Sequence, residues 1–253
     1  MLCFSFSESE KVFFGSSARK KELTNMELKL ECEVPQRKKE RTKKGIQTQK
    51  NIMSQAKELF YTQGYNNTGM VDIANNSEVG LGTLTYYFNK KEDIVDEIIN
   101  TYFMQLYDFV GENSEKAKMQ YVKYCTAMIL FYAGIVEDPH VMKFYYEITR
   151  RDCNKKKRMM VLKLFNRSVL EYFNKSYTEE DMEVYTLAFY GAQKEIFIRY
   201  YERELPFKSK KLVKAIVYHM FRLLDISNDT LKNTMKDGFV FLEEYREILP
   251  KVL

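Results

Sequence analysis

Thr68-Gly-Met-Val-Asp-Ile-Ala-Asn-Asn-Ser-Glu-Val-Gly-Leu-Gly-Thr-Leu-Thr-Tyr-Tyr-Phe88 is the stretch from which the fold can be read. It describes two short helices around a tight turn. Thr68 is placed to cap the first, which turns Ile73 and Ala74 inward, and Val79 is placed to plug the turn. Leu84 and Phe88 stand one helical turn apart and anchor the second helix on the first. The small side chains of Ala74 and Ser77 let the two axes approach. Such a construction is a helix-turn-helix, whose second helix enters the DNA major groove.

Working outward, Ile52, Ala56, Leu59 and Phe60 fall on one face of a helix over about residues 48–63, and Gly64 supplies the residue that closes it. On the other side, Asn89 and Glu92 pair as a cap for a helix carrying Ile94, Ile98, Tyr102, Leu106 and Phe109, with its end expected at Gly111. Residues 115–136 are apolar on nearly every side, the mark of a central buried helix. Asp138-Pro139 opens a short helix to about residue 151. Further helices are expected at 154–175, 179–203, 209–226 and 229–249, with Thr178, Ser209 and Asn228 as caps. Pro35, Pro139, Pro206 and Pro250, the four prolines, all fall at expected limits. Period-two alternation is missing apart from a weak run at 29–34. The fold class is all-α.

With Phe60-Tyr61-Thr62-Gln63-Gly64-Tyr65 before it and Asn89-Lys-Lys-Glu-Asp-Ile94 after it, the opening stretch resembles the DNA-binding domain of the TetR family (TetR/AcrR type). The matching residues are Phe60, Gly64-Tyr65, Thr68, Asp72-Ile73-Ala74, Val79, Gly82-Thr83-Leu84, Tyr87-Phe88 and Lys91-Glu92, in order and in spacing, over about residues 46–100. The resemblance implies an N-terminal three-helix helix-turn-helix domain, placed at 45–100, and a helical effector-binding and dimerisation domain at 101–253. Residues 1–44 read as a poorly ordered basic extension. Two departures stand out. Glu78 occupies a turn position where the family usually has glycine, at a cost of roughly 1 kcal/mol if its φ is positive. Thr85 stands where tyrosine is common.

The 253 residues carry 45% hydrophobic and 15% aromatic side chains, enough for a sizeable core. The longest apolar run, 127–136, is about half of the ~20 residues a membrane span needs. No membrane partner is expected, and the cytoplasm is the expected location. The four cysteines are scattered and only two histidines occur, so neither a zinc site nor a disulfide framework is expected. No glycine-rich phosphate loop or nucleophile elbow appears, and His140 and His219 lack an evident catalytic partner. An enzyme is not expected, nor a cofactor or metal. The net charge of +5 is mild, but basic residues crowd between Arg37 and Lys50. That run reads as a phosphate-seeking arm.

The recognition helix is placed at about 81–88. With Leu84 and Phe88 inward, Thr83, Thr85, Tyr86 and Tyr87 are left to meet double-stranded DNA. Leu81 reads either as core or as a thymine-methyl contact. Lys43 and Lys44 in the basic run, and Lys91 at a helix start, are expected near phosphates. The resemblance adds phosphate contacts by Thr68 and Tyr87. Tyr102, Tyr124, Met128, Phe131, Tyr145, Phe165, Phe189 and the polar Gln193 are candidates for lining the pocket of a small apolar or aromatic effector. The plain alternative is that aromatics at helical spacing fill a core. Ala188, Gly191 and Ala192 on one helix, and Ile216, Val217, Met220 and Phe221 on the next, are the candidate dimer surface. The expected function is a homodimeric regulator, a repressor released from a near-palindromic operator by ligand. The alternative is a helix-turn-helix protein controlled by a protein partner.

Overall fold

The computed structural model of the chain describes residues 42–153 and 155–253. These lie within one compact unit, Lys38–Leu253. The expectations for residues 1–41, including the weak run at 29–34 and the basic side chains up to Arg41, fall outside the described residues.

Among the described residues there is no strand. In chain order come α1 (Lys43–Thr62), α2 (Met70–Asn76), α3 (Leu81–Tyr87), α4 (Lys91–Asn113), a 3-10 turn (Glu115–Lys118), α5 (Gln120–Glu137), α6 (Pro139–Arg150), α7 (Lys155–Tyr172), α8 (Glu179–Tyr201), α9 (Ser209–Leu223), α10 (Asn228–Tyr245) and a second 3-10 turn (Arg246–Ile248). No helix among them is long and apolar enough to cross a membrane.

Capping explains where the helices differ from expectation. α1 begins at Lys43 rather than near residue 48, because the Thr42 hydroxyl accepts from Gly45 N–H at 3.2 Å. Thr68 does not cap α2. Gly69 does, its N–H donating to the Asp72 carboxylate at 2.7 Å. Lys90 rather than Asn89 precedes α4, with Asp93 accepting from its N–H at 3.3 Å. α4 then runs through Gly111 to Asn113, since Gly111 keeps a right-handed conformation. Ser227 and Lys208, not Asn228 and Ser209, precede the last two long helices. Thr178 caps α8 and Asp138 caps α6.

α5 is the axle of the molecule, buried on all faces and packed against α4, α6, α7, α9 and α10. α10 lies against α5 so closely that a Cβ on Gly238 would come within 2.6 Å of Ile129 Cδ1. The last helix therefore belongs to the monomer's core. The same packing corrects half of the dimer surface. Ile216, Val217, Met220 and Phe221 are each at most 1% exposed. α9 turns them onto α5 and α8, so they have nothing left to offer a partner. The opposite half fares differently: Ala188 and Gly191 are exposed and Ala192 is half-buried. Val184 and Leu187, 62% and 51% exposed, continue the same face of α8.

The helix-turn-helix turn passes through Glu78 with φ of 54°, the left-handed region in which a side chain is strained. Glu78→Gly should therefore stabilise the chain by about 1 kcal/mol, raising the thermal midpoint by about 2–4 °C. An unchanged or lower midpoint in calorimetry would show that the turn carries no such strain.

Candidate nucleic-acid interface

The reading head is held from within. Ile73, Ala74, Leu84 and Phe88 form its core with Ile52, Ala56, Leu59 and Phe60 of α1. Asn51 on α1 donates through its side-chain amide to Ser77 O at 2.8 Å, fastening the turn to the supporting helix. The Ser77 hydroxyl returns to Ile73 O at 2.6 Å. What remains outside is the other face of α3. Tyr86 is 77% and Leu81 46% exposed, and Thr83 and Thr85 are exposed beside them. Leu81 is thus not core. Tyr87 is half-buried, its ring set edge-on to Tyr86 at 5.3 Å. The exposed Thr85 hydroxyl donates to Gly82 O at 3.1 Å.

Two of the expected phosphate contacts are corrected. Thr68 is 1% exposed, and its hydroxyl donates to Gly64 O at 2.8 Å, so it braces the bend between α1 and α2 from inside. Lys91 is half-buried, with its ammonium donating to Tyr65 O at 2.7 Å and Thr68 O at 2.6 Å and lying 3.9 Å from the Tyr65 ring centre. Burial pulls that ammonium below the ordinary lysine value. It is a strut, not a free surface charge. Lys43 and Lys44 are exposed in the first turn of α1, which has no acidic residue. Cations at a helix N-terminus oppose its dipole, so the folded chain gains nothing from them there.

Residues 52–98 match the model of the bacterial regulatory proteins of the tetR family. Over this segment the chain is similar to the TetR family. The HTH-type transcriptional regulator LuxR of Vibrio harveyi is 29% identical over 105 residues, 40% of this chain and 50% of that protein, so the chain spans about half the length of this relative. A TetR-family transcriptional regulator from Syntrophomonas wolfei superposes with a TM-score of 0.52 at 18% identity, over 72% of this chain and 96% of that one. RolR, solved in complex with resorcinol, gives 0.54 at 15% identity, over 77% and 96%. At these identities the structural likeness shows the fold, an N-terminal helix-turn-helix with a helical C-terminal region.

The helices that follow the reading head line a slot of about 70 Å³ among α4, α5, α6, α7 and α8. Six of the candidate lining residues meet there: Tyr124, Met128, Phe131, Tyr145, Phe165 and Gln193. Gln193 accepts from the Tyr132 hydroxyl. Two candidates are corrected. Tyr102 points away, to the Gly134 side of α5, and Phe189, 1% exposed, is plain core. Phe103, Tyr132 and Arg158 line the slot without having been anticipated. Arg158 ends the run Lys155-Lys156-Lys157-Arg158, which sequence alone gives no reason to separate from a solvated face.

One helix touches both places. On one side, α6 sends Tyr145 into the slot. On the other, Phe144 stacks on Phe60 at 5.3 Å and His140 on Tyr61 at 4.7 Å. The buried Glu147 carboxylate accepts from Asn66 N–H at 2.9 Å. Gly64, at φ of 88°, leaves the space for it: a Cβ there would stand 3.0 Å from Glu147 Oε2. Glu147→Ala strands a backbone donor and should cost about 1–3 kcal/mol of stability. Urea denaturation reads the loss directly, and an unshifted midpoint would mark the contact as incidental.

Proposed function

We propose that the chain is a homodimeric repressor that binds a near-palindromic operator in the cytoplasm and leaves it when a small ligand enters the α4–α8 slot. The observation that carries the DNA-reading half is the division of α3, with Leu84 at 0% exposure and Leu81, Thr83, Thr85 and Tyr86 outward. No arginine stands on that face for bidentate guanine contacts. Specificity then rests on hydroxyl and methyl contacts and on DNA shape, with Lys43, Lys44 and the basic segment before them adding phosphate affinity.

The dimer in this reading forms through α8, where Val184, Leu187, Ala188 and Gly191 make one exposed stripe at helical spacing. Ligand in the slot displaces α6 against the reading head and so alters the separation of the two α3 helices, which must match half-sites about 34–36 Å apart. Release requires that ligand bind the DNA-incompetent arrangement better.

A second reading, control by a protein partner, draws on the small volume of the slot, below the ~300–1,000 Å³ of most ligand sites. Favouring the sensor are two buried hydroxyls, of Tyr124 in the slot and of Thr149 in the crevice beside it, that have no hydrogen-bond partner among the described residues. A solid core rarely tolerates these.

Binding to the DNA upstream of its own gene tests the proposal, with a scrambled duplex of equal length as control. Two subunits per site, a steep fall of affinity with salt, and a loss of about tenfold for Thr83→Ala or Tyr86→Ala are expected. Equal weak binding to both duplexes, or unchanged preference in both variants, would contradict the assignment of α3.

A further inference from the structure

The slot is aromatic, yet it contains a cation. Arg158 leaves the basic start of α7 and turns inward beside Tyr132, Tyr145 and Gln193. Its Nε and Nη2 donate to the Cys153 carbonyl at 3.1 and 2.8 Å, with Ile148 O at 3.5 Å from Nη2. These carbonyls fix the side chain without neutralising it. Neighbouring cations are matched: Lys194 pairs with Asp152 at 2.7 Å, and Lys157 with Asp96 at 2.9 Å. Among the described residues no carboxylate pairs with Arg158, and its Nη1 makes no hydrogen bond. A half-buried guanidinium in such surroundings is completed by an anion, and its planar fork fits a carboxylate.

A second observation points the same way. Beside the slot, and sharing Tyr145, Arg158 and Gln193 with it, lies a narrow crevice too tight for a water, lined also by Thr149, Tyr190 and Lys194. Thr149 is 3% exposed, and its hydroxyl is unpartnered. A helical threonine can usually turn its hydroxyl onto the carbonyl one turn back; this one does not. The other end of the slot is apolar, with Phe103, Met128, Phe131, Leu162 and Phe165. Polar demand and apolar surface thus lie on opposite sides of Tyr145, Arg158 and Gln193.

We propose that the effector is an amphipathic carboxylate, an acyl or aryl acid, whose carboxylate pairs with Arg158 and accepts from Thr149 while its apolar body lies among Phe103, Phe131 and Phe165. The inference rests on the ligand-released reading above and adds charge to the apolar effector that reading requires. At about 70 Å³ the slot has room for a few waters only. An acid therefore enters by displacing the half-buried Phe103 ring, and its head meets Thr149 on α6, the helix that also holds Asn66.

The test is calorimetric binding to the full chain of octanoate, decanoate, benzoate and 2-naphthoate, each beside its own methyl ester and alcohol. At least one acid is expected to bind about tenfold or more tighter than its neutral partners. In Arg158→Met that preference disappears while ester affinity stays. Should Arg158→Met fail to fold, Arg158→Lys keeps the charge without the fork, and the acid–ester comparison stands on the unaltered chain. If esters or alcohols match the acids and release operator, the charge assignment is overturned and the ligand-released reading survives. If no acid binds, this inference falls too. The ligand-released reading is then decided by whether a side chain that fills the slot weakens operator binding.

Discussion

Asn66 N–H donates to the buried Glu147 carboxylate at 2.9 Å, where the bend after α1 meets α6. Around it Phe60 stacks on Phe144, Tyr61 on His140, and Arg151 donates to Asn66 Oδ1 at 2.6 Å. Interiors are close-packed, so a helix gripped in this way cannot shift on one side without being felt on the other. Because the opposite face of α6 carries Tyr145 and Thr149, the seat of the reading head and the wall of the slot are one object. Lys91 and Thr68 complete the seat from below, which is why neither is left for DNA.

The helix-turn-helix was legible because its signals are local and redundant. Apolar spacing in α1, the small pair Ala74 and Ser77, and the Leu84–Phe88 anchor all demand the same geometry, so no single misread residue changes the outcome. Central burial of α5 was legible for a related reason, since a helix apolar on every face has only one place to go. Caps were less so. Thr68 and Gly69 are adjacent, and the carboxylate of Asp72 decides between them, a competition that residue preferences alone do not resolve.

Long-range placement was beyond one sequence. Ile216, Val217, Met220 and Phe221 form a broad apolar face that would suit either a partner or the chain's own α5, and only packing chooses. Tyr102 and Tyr124 carry the same side chain on adjacent helices, yet one leaves the slot and the other lines it. Arg158 reads as one more member of a basic run until its backbone partners, the carbonyls of Cys153 and Ile148, are seen to turn it inward. Those are facts of the third dimension, and they carry the chemistry of the slot.

Coupling of the slot to the reading head through α6 can be tested without knowing any effector. Val161 stands half-buried at the slot's edge, and the chain has no tryptophan, so Val161→Trp both fills the slot and reports its own burial by fluorescence. Blue-shifted emission is expected together with operator affinity reduced about tenfold or more in a chain that remains folded. A buried indole with operator affinity unchanged would contradict it.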